Sequence, residues 1–434
     1  MQKMQEIFGR PVKSDVLGLF RIFFGLCLLY ELWYYVDIDL LNMGLRQPVM
    51  LFPYKGLEWI RMLPGKGMEM VMFLIMIAAV CITIGWMLRI ASVVFVIGFA
   101  WIFLLDKGLY NNHLYLFILM GFLFSVTDSD ASWSVSKKKH RDTLPAWQLH
   151  IFQFQIIVVY FYGGLAKINY DWLLHFQPVV VLTEGRSSKL LLYILVYGGL
   201  VFDLLVGFLL LWRPTRIYAM ITALIFNITN SIIFHDIGVF PFFMIGTLLL
   251  FVDPDFISSR AGRKQSIEKK KSKQASQFVP LVTSGTLKGL MISYIVFQLL
   301  FPFRHLLYRG NVDWYGEAQK FSWRMKIQQR DLKEFKITIL DYKTKQILDL
   351  DPGKYITSAQ VLALTQDPQM LLSFAKYIEK DAKKKGIENP FIKSSCIVAF
   401  NGRPPQPMVD PEKNLCTIDS NAPVYSWVMP LKNP

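Results

Sequence analysis

Any chemistry in this chain has to come from a few polar side chains set in apolar surroundings. Lys167 sits near the end of the run Ile156-Ile157-Val158-Val159-Tyr160-Phe161-Tyr162-Gly163-Gly164-Leu165-Ala166-Lys167, and Asp171-Trp172 follows it. An ammonium there either snorkels to a membrane interface as an anchor or sits inside the protein. Inside, burial favours the neutral amine, which is a base at ordinary pH. Asn111, Asn112 and His113 open a second apolar run. An imidazole there can take or give a proton near neutral pH. The plainer reading is a residue at a helix start, behind an Asn111 or Asn112 cap. Asn227, Asn230 and His235 share one segment, and helical spacing puts Asn227, Asn230 and Phe234 on one face. Interhelical hydrogen bonding explains them without a ligand. Asp203 is a lone acid in an apolar run, with Arg21 and Lys167 both candidate partners. Arg304, His305, Trp314, Trp323 and Arg324 form an aromatic and basic block. Its composition fits a membrane-interface belt as well as a ligand site.

These residues need a frame that keeps polar groups away from bulk water. Hydrophobic residues make up 53% of the 434 and charged residues 18%, below the quarter or so usual in soluble domains. Apolar runs near 14–36, 68–88, 90–106, 110–126, 149–168, 190–212, 216–235, 237–252 and 286–303 approach the ~20 residues that cross a hydrocarbon core. The first is too long for a signal-peptide core and lacks a small-residue cleavage site, so it reads as a retained spanning helix. Arg21 within it either snorkels or joins a buried ion pair. The expected fold is a polytopic α-helical membrane protein of about 8-9 transmembrane helices, residues 1-303, followed by a small α+β extracytoplasmic domain, residues 304-434.

The formal charge of +15 is concentrated in loops, at Lys137–Arg141, Arg213–Arg216 and Arg260–Lys273. With a cytoplasmic N-terminus and nine spans, all three loops fall inside and everything past residue 303 falls outside. The short 237–252 run, which contains Pro241, decides this, because dropping it reverses the tail. The basic loops lack interleaved aromatics, so lipid rather than nucleic acid is the expected partner. Residues 37–67, with Pro48, Pro53 and Pro64, read as a loop. In the tail, Glu334–Asp341 and Ser395–Phe400 read as strands, and Ser358–Lys384 as one helix. Cys27 and Cys81 lie in apolar runs as packing residues, whereas Cys396 and Cys416 can pair if the tail is extracytoplasmic. Neither a Cys-x-x-Cys nor a His-Glu-x-x-His pattern occurs, and no metal is expected.

The block Arg304-His305, Gly310, Trp314 and Phe321-Ser322-Trp323-Arg324-Met325 resembles the vitamin K-dependent gamma-carboxylase family, also called the horizontally transferred transmembrane (HTTM) family. So do Asn111-Asn112-His113 and the set Tyr160, Phe161, Gly164, Lys167, Asp171 and Trp172. The series Asn230, Ser231, Phe234, Ile237, Gly238 and Phe240 is similar too. In the tail, the likeness extends to Val398-Ala399-Phe400-Asn401 with Arg403, Asp410-Pro411, and Ser426-Trp427-Val428 with Pro430-Leu431. The order holds from about residue 15 to the last residue, as in a short bacterial-type homologue.

The resemblance implies an integral membrane enzyme that couples oxygenation of a reduced quinone to its epoxide with carboxylation of protein glutamate. The quinone would be reduced vitamin K or a related menaquinol, with O2 and CO2 as co-substrates and no metal. The partner would be a protein or peptide bearing glutamate. Lys167 matches the family lysine taken as the base that deprotonates the quinol. Dioxygen addition then gives a strongly basic alkoxide, which removes the γ-proton of glutamate before CO2 is captured. A site in the bilayer suits this, because bulk water would quench both anions. On the same resemblance His113 and Asn112 join Lys167 in catalysis, His305, Asn230, Trp314 and Arg304 hold the quinone, and Arg324 and Trp323 meet the substrate. Two departures stand out. Asn227 occupies a position that is often histidine in the family, with His235 nearby but displaced by one inserted residue. The animal enzymes also continue past where this chain stops, so their propeptide-gripping part is expected to be missing. The competing reading is a non-catalytic membrane scaffold, a transporter or a quinone-binding protein on the same fold. A transporter should show inverted halves with broken segments in matching positions, and the sequence has no such symmetry.

Overall fold

The computed structural model describes residues 8–136, 140–185, 187–233, 238–260 and 285–432. Lys137 to Lys139, Phe234, His235 and Ile237, and the basic stretch beyond Arg260, lie outside the described residues. The bundle comprises α1 (Asp15–Asp37), α2 (Gly67–Ile84), α3 (Leu88–Leu105), α4 (Asn112–Val126), α5 (Trp147–Ala166), the short α6 (Tyr170–His175), α7 (Lys189–Leu211), α8 (Arg216–Ile233), α9 (Phe240–Phe251) and α10 (Gly285–Leu307). Among the described residues, seven of these are long and apolar enough to cross a membrane, while α4 and α9 are shorter. Both short helices start late for local reasons. The Asn111 side chain accepts from His113 N at 3.4 Å and caps α4. Pro241 lies in the first turn of α9, where its missing N–H is no loss. Exposed Ile77, Ile97, Leu205 and Ile225 form the outer surface of the bundle, as lipid contact requires.

One end of the bundle gathers around the N-terminus. β1 (Pro11–Lys13) pairs antiparallel with β2 (Thr143–Pro145). Asp15 accepts from Trp133 Nε1 at 2.9 Å and from Ser258 Oγ at 2.6 Å. Arg21 is fully buried and does not snorkel. Its guanidinium donates to the backbone carbonyls of Ile82, Thr83, Ser129, Ser132 and Trp133, and Asp130 supplies opposite charge nearby. Two of those carbonyls, Ile82 O and Thr83 O, lie in the last turn of α2, where a fixed cation is favoured. The α9 helix is flanked by Gly238, beside His113, and by Asp253, which pairs with Arg213 at 3.3 Å. It therefore crosses between the two ends. The N-terminus and the C-terminal domain lie at opposite ends.

The C-terminal domain is a four-stranded antiparallel sheet in the order β4-β3-β5-β6, formed by β3 (Arg330–Asp341), β4 (Ile347–Leu350), β5 (Pro390–Phe400) and β6 (Gln406–Pro407). Alternate β5 residues Ile392, Cys396, Val398 and Phe400 are buried with Leu371, Phe374 and Ile378 of α12 (Pro368–Lys384). The single helix expected over Ser358–Lys384 is two, because Asp367 is extended before Pro368 and proline disfavours a helical predecessor. The first of the two is α11 (Ser358–Gln366), which opens on a Thr357/Gln360 capping box. Phe52, from the proline-bearing loop, is buried in the same core. Cys396 and Cys416 are free thiols, and burial pushes both up to about 12.

Replacing Arg21 with Met removes every donor from its carbonyl cage. The expected cost is ~3 kcal/mol or more, read as a lowered denaturation midpoint in detergent. Arg21→Lys should recover only part, since an ammonium lacks the guanidinium fork.

Candidate active site

Lys167 is the residue that ends α5. Its side chain and that of Asp203 on α7 form an ion pair, with both residues over nine-tenths buried. Asp203 thus pairs with Lys167 and not with Arg21. Small residues allow the approach. A Cβ on Gly164 would meet Leu204 N at 2.8 Å, and one on Gly207 would meet the Ile157 side chain at 3.0 Å, so α5 and α7 touch backbone to backbone, as glycines permit. The ammonium also lies 5.1 Å from the Trp172 ring centroid and 5.7 Å from that of Phe226, within cation–π range. Behind it, Asn227 Nδ2 donates to Tyr160 Oη at 3.1 Å, the interhelical bond that composition allowed for it. Phe202 stacks on Phe226 with centroids 4.1 Å apart.

Asp171-Trp172 has two jobs. The Trp172 indole lies by the ammonium and donates to Val196 O at 3.0 Å. Asp171 receives two bonds from Arg403, at 2.5 and 2.8 Å, and one from Asn401 Nδ2 at 2.8 Å. Burial pushes the Asp171 carboxyl up, but hydrogen bonds from Arg403 and Asn401 and the charge of Arg403 outweigh it and hold it below its ordinary value.

A second polar cluster surrounds His113. Its Nε2 is 3.5 Å from Glu31 Oε2 on α1, within ion-pair reach though not hydrogen-bonded. Both ring nitrogens are buried without a hydrogen-bond partner. Phe117 meets the ring edge-on with centroids 5.8 Å apart.

The segment 318–326 joins the two clusters. Phe321 N donates to Tyr110 Oη at 2.5 Å, and that hydroxyl donates to Asn112 Oδ1 at 3.0 Å. Trp323 is fully buried, tilted over Tyr115 with centroids 5.0 Å apart, and its indole N–H has no partner. Met325 Cε would be 3.5 Å from a Cβ on Gly163, and Asp203 Oδ2 would be 3.6 Å from it. From Phe321 to Met325 the backbone spans at most roughly 14 Å. Ala318, Phe321, Trp323 and Lys326 all have positive φ, between 51° and 62°. Non-glycine residues hold that conformation only when their surroundings impose it, and such strain gathers at functional sites.

The other residues singled out from sequence are placed as follows. Arg304 Nη1 donates to Phe301 O at 3.2 Å and Ser322 Oγ at 3.0 Å, and Nη2 donates to Lys320 O, so it braces the strained segment. His305 Nδ1 bonds Pro302 O at 2.7 Å, which fixes the proton on Nδ1 and leaves Nε2 as an acceptor. Arg324 forms a two-pronged pair with Asp313, at 2.9 and 2.7 Å. Trp314 is buried in the core of the C-terminal domain, with Nε1 donating to Met429 O at 2.8 Å. Asn230 is half-buried on α8, one turn beyond Asn227. Asn112, Arg304 and Trp323 thus meet around Phe321, whereas Trp314 stands apart within the tail.

An HTTM domain model matches residues 9–256 of the chain. The chain belongs to the HTTM family. Residues 284–434 match the vitamin K-dependent gamma-carboxylase, lumenal domain, a stretch that takes in α10 as well as the sheet. This is a vitamin K-dependent gamma-carboxylase-like membrane protein. No solved structure matches the chain. The two matched parts of this HTTM protein meet at Asp171 and Arg403, one partner from each.

Sequence reasoning missed Glu31 altogether, although a lone acid in an apolar run is the signal that singled out Asp203. It also gave Tyr160 no partner. The bond from Asn227 joins α8 to α5, and its sequence separation of 67 hides it from any local pattern.

Asp171→Asn should loosen the docked tail. Breaking a buried pair costs ~3–5 kcal/mol, visible as faster amide exchange across residues 401–403. Because the Asp171 pKa is depressed, its contribution is complete above the ordinary carboxylate value of ~3.9 and is lost as pH falls through the depressed one. The wild-type advantage should therefore persist at neutral pH and vanish in strong acid.

Proposed function

We propose that this protein oxygenates a reduced vitamin K-type quinone to its epoxide and couples that reaction to carboxylation of glutamate in a protein or peptide. The observation that carries the reading is Lys167. It is buried and paired with Asp203, walled by Trp172 and Phe226, and shortly precedes Asp171, whose pairing with Arg403 holds the carboxylase-type domain. When bound, the reduced quinone supplies, with dioxygen, the strong base that abstraction of a glutamate γ-proton requires.

The chain's own residues fit such a group. His113 Nδ1 and Nε2 and Trp323 Nε1 are buried polar atoms without partners, the kind of capacity that two ring oxygens take up. Trp172, Phe226 and Phe202 offer flat faces for an aromatic ring. Lys167 Nζ takes the proton from a ring hydroxyl. His305 Nε2, with its lone pair free, is an acceptor toward the domain side. Burial of both clusters keeps water from competing for the proton. Arg324 is held by Asp313, so it meets a substrate carboxylate only by sharing that pairing.

Orientation belongs to the same proposal. Arg10, Lys13, Arg89, Arg141, Arg213 and Arg216 cluster at the N-terminal end, which supports a cytoplasmic N-terminus and an extracytoplasmic catalytic end.

Purified protein in detergent, given reduced menaquinone, dioxygen, bicarbonate and a glutamate peptide, should form quinone epoxide. Lys167→Ala should lower the rate by ~100-fold or more, the scale of a lost general base. Folded wild-type protein that forms no epoxide with any of several reduced quinones would favour a non-catalytic scaffold.

A further inference from the structure

The pairing of Lys167 with Asp203 raises a question that the carboxylase reading leaves open. An ammonium held by a carboxylate is not a free amine. Around the pair stand Trp172 and Phe226 and the thioether of Met325, with the Tyr160 hydroxyl held by Asn227. Among the described residues, charged groups on nearby segments are themselves engaged: Asp171 with Arg403, and Arg324 with Asp313. Among the described residues, Lys167 and Asp203 thus face each other as a net-neutral pair.

We propose that Asp203 is the resting place of the proton withdrawn from a ring hydroxyl, and that Lys167 relays this proton and remains an ammonium. This deepens the reading above and rests on it. In the step, the O–H bond breaks heterolytically and the oxygen keeps the electron pair. Lys167 Nζ receives that proton as it passes one of its own to the Asp203 carboxylate. No oxidant takes part. The dyad begins as ammonium and carboxylate and ends as ammonium and carboxylic acid, with the ammonium opposite the oxygen that lost its proton. The positive charge stays between Trp172 and Phe226 throughout, so no unpaired charge is created at this depth, where one is costly. Asp203 is a proton-holding and positioning residue that acts through Lys167.

The test compares wild type, Asp203→Asn and Asp203→Glu. Adding reduced menaquinone without dioxygen stops the reaction at proton transfer. Infrared difference spectra of wild type should then show the carbonyl band of a newly protonated carboxylic acid. That band should be absent from Asp203→Asn and shifted in Asp203→Glu. With dioxygen, Asp203→Asn should lose ~100-fold or more in kcat with little change in KM, and raising the pH should not restore it. Asp203→Glu should recover part of the rate. The inference is overturned if wild type forms epoxide but shows no such band. It is equally overturned if Asp203→Asn stays active and its activity extends to lower pH, as an untied lysine acting alone would give. If the asparagine variant does not fold, the wild-type band and its shift in the glutamate variant decide the matter. A band without epoxide formation leaves the dyad standing and removes the carboxylase reading instead.

Discussion

An ammonium at the edge of a hydrocarbon layer has to be matched by an opposite charge, and here that constraint arranges the neighbourhood. Taking each ion out of water costs several kcal/mol even after relaxation, and the Lys167–Asp203 pair sets one buried charge against the other. The match requires α5 and α7 to approach more closely than ordinary side chains permit, which Gly164 and Gly207 allow. It also requires a polarisable wall, provided by Trp172 and Phe226. The glycines, the lysine and the tryptophan of one short motif thus serve a single charge.

The same motif reaches outward. Asp171 immediately precedes Trp172 and holds Arg403 and Asn401. One dipeptide thus contacts both the C-terminal domain and the ammonium. A second fixed point is Asp106, which accepts from Gln360 Nε2 at 2.7 Å and from Phe52 N at 3.1 Å. Between these anchors the strained 318–326 segment is pressed into the bundle, carrying Trp323 against Tyr115 and Met325 toward Gly163. The polypeptide that leaves the last spanning helix thereby returns to wall the site before entering the sheet.

Much of this was legible in the sequence where the signal is local or compositional. The apolar runs foretold the helices, because bilayer thickness sets their length. Alternation marked the strand around Ile337 and Ile339. The oddity of a lysine after eleven largely apolar residues marked Lys167. Pairings were not legible. Asp203 had two possible partners, and only the close packing of α5 on α7 chooses between them. Arg21 was read as snorkelling or ion-paired, whereas a cage of backbone carbonyls holds it, and carbonyls have no sequence signature. Arg324 was expected to meet the substrate, but Asp313, eleven residues earlier, already engages it. Trp314 belongs by motif with the site block, yet its ring faces the core of the tail. The helical spacing over Ser358–Lys384 read as one helix, although Pro368 carries the signal for the break.

The most direct measurement is photoaffinity labelling with a short-chain naphthoquinone that carries a small photoreactive group, followed by peptide mapping of the labelled protein in detergent. Labels on Trp172, on residues 226–230 or on residues 321–325, displaced by excess menaquinone, are the expected result. Displaceable labelling confined to the outer faces of α7 and α8, or to the sheet of the C-terminal domain, would contradict a quinone site at Lys167 and Asp203.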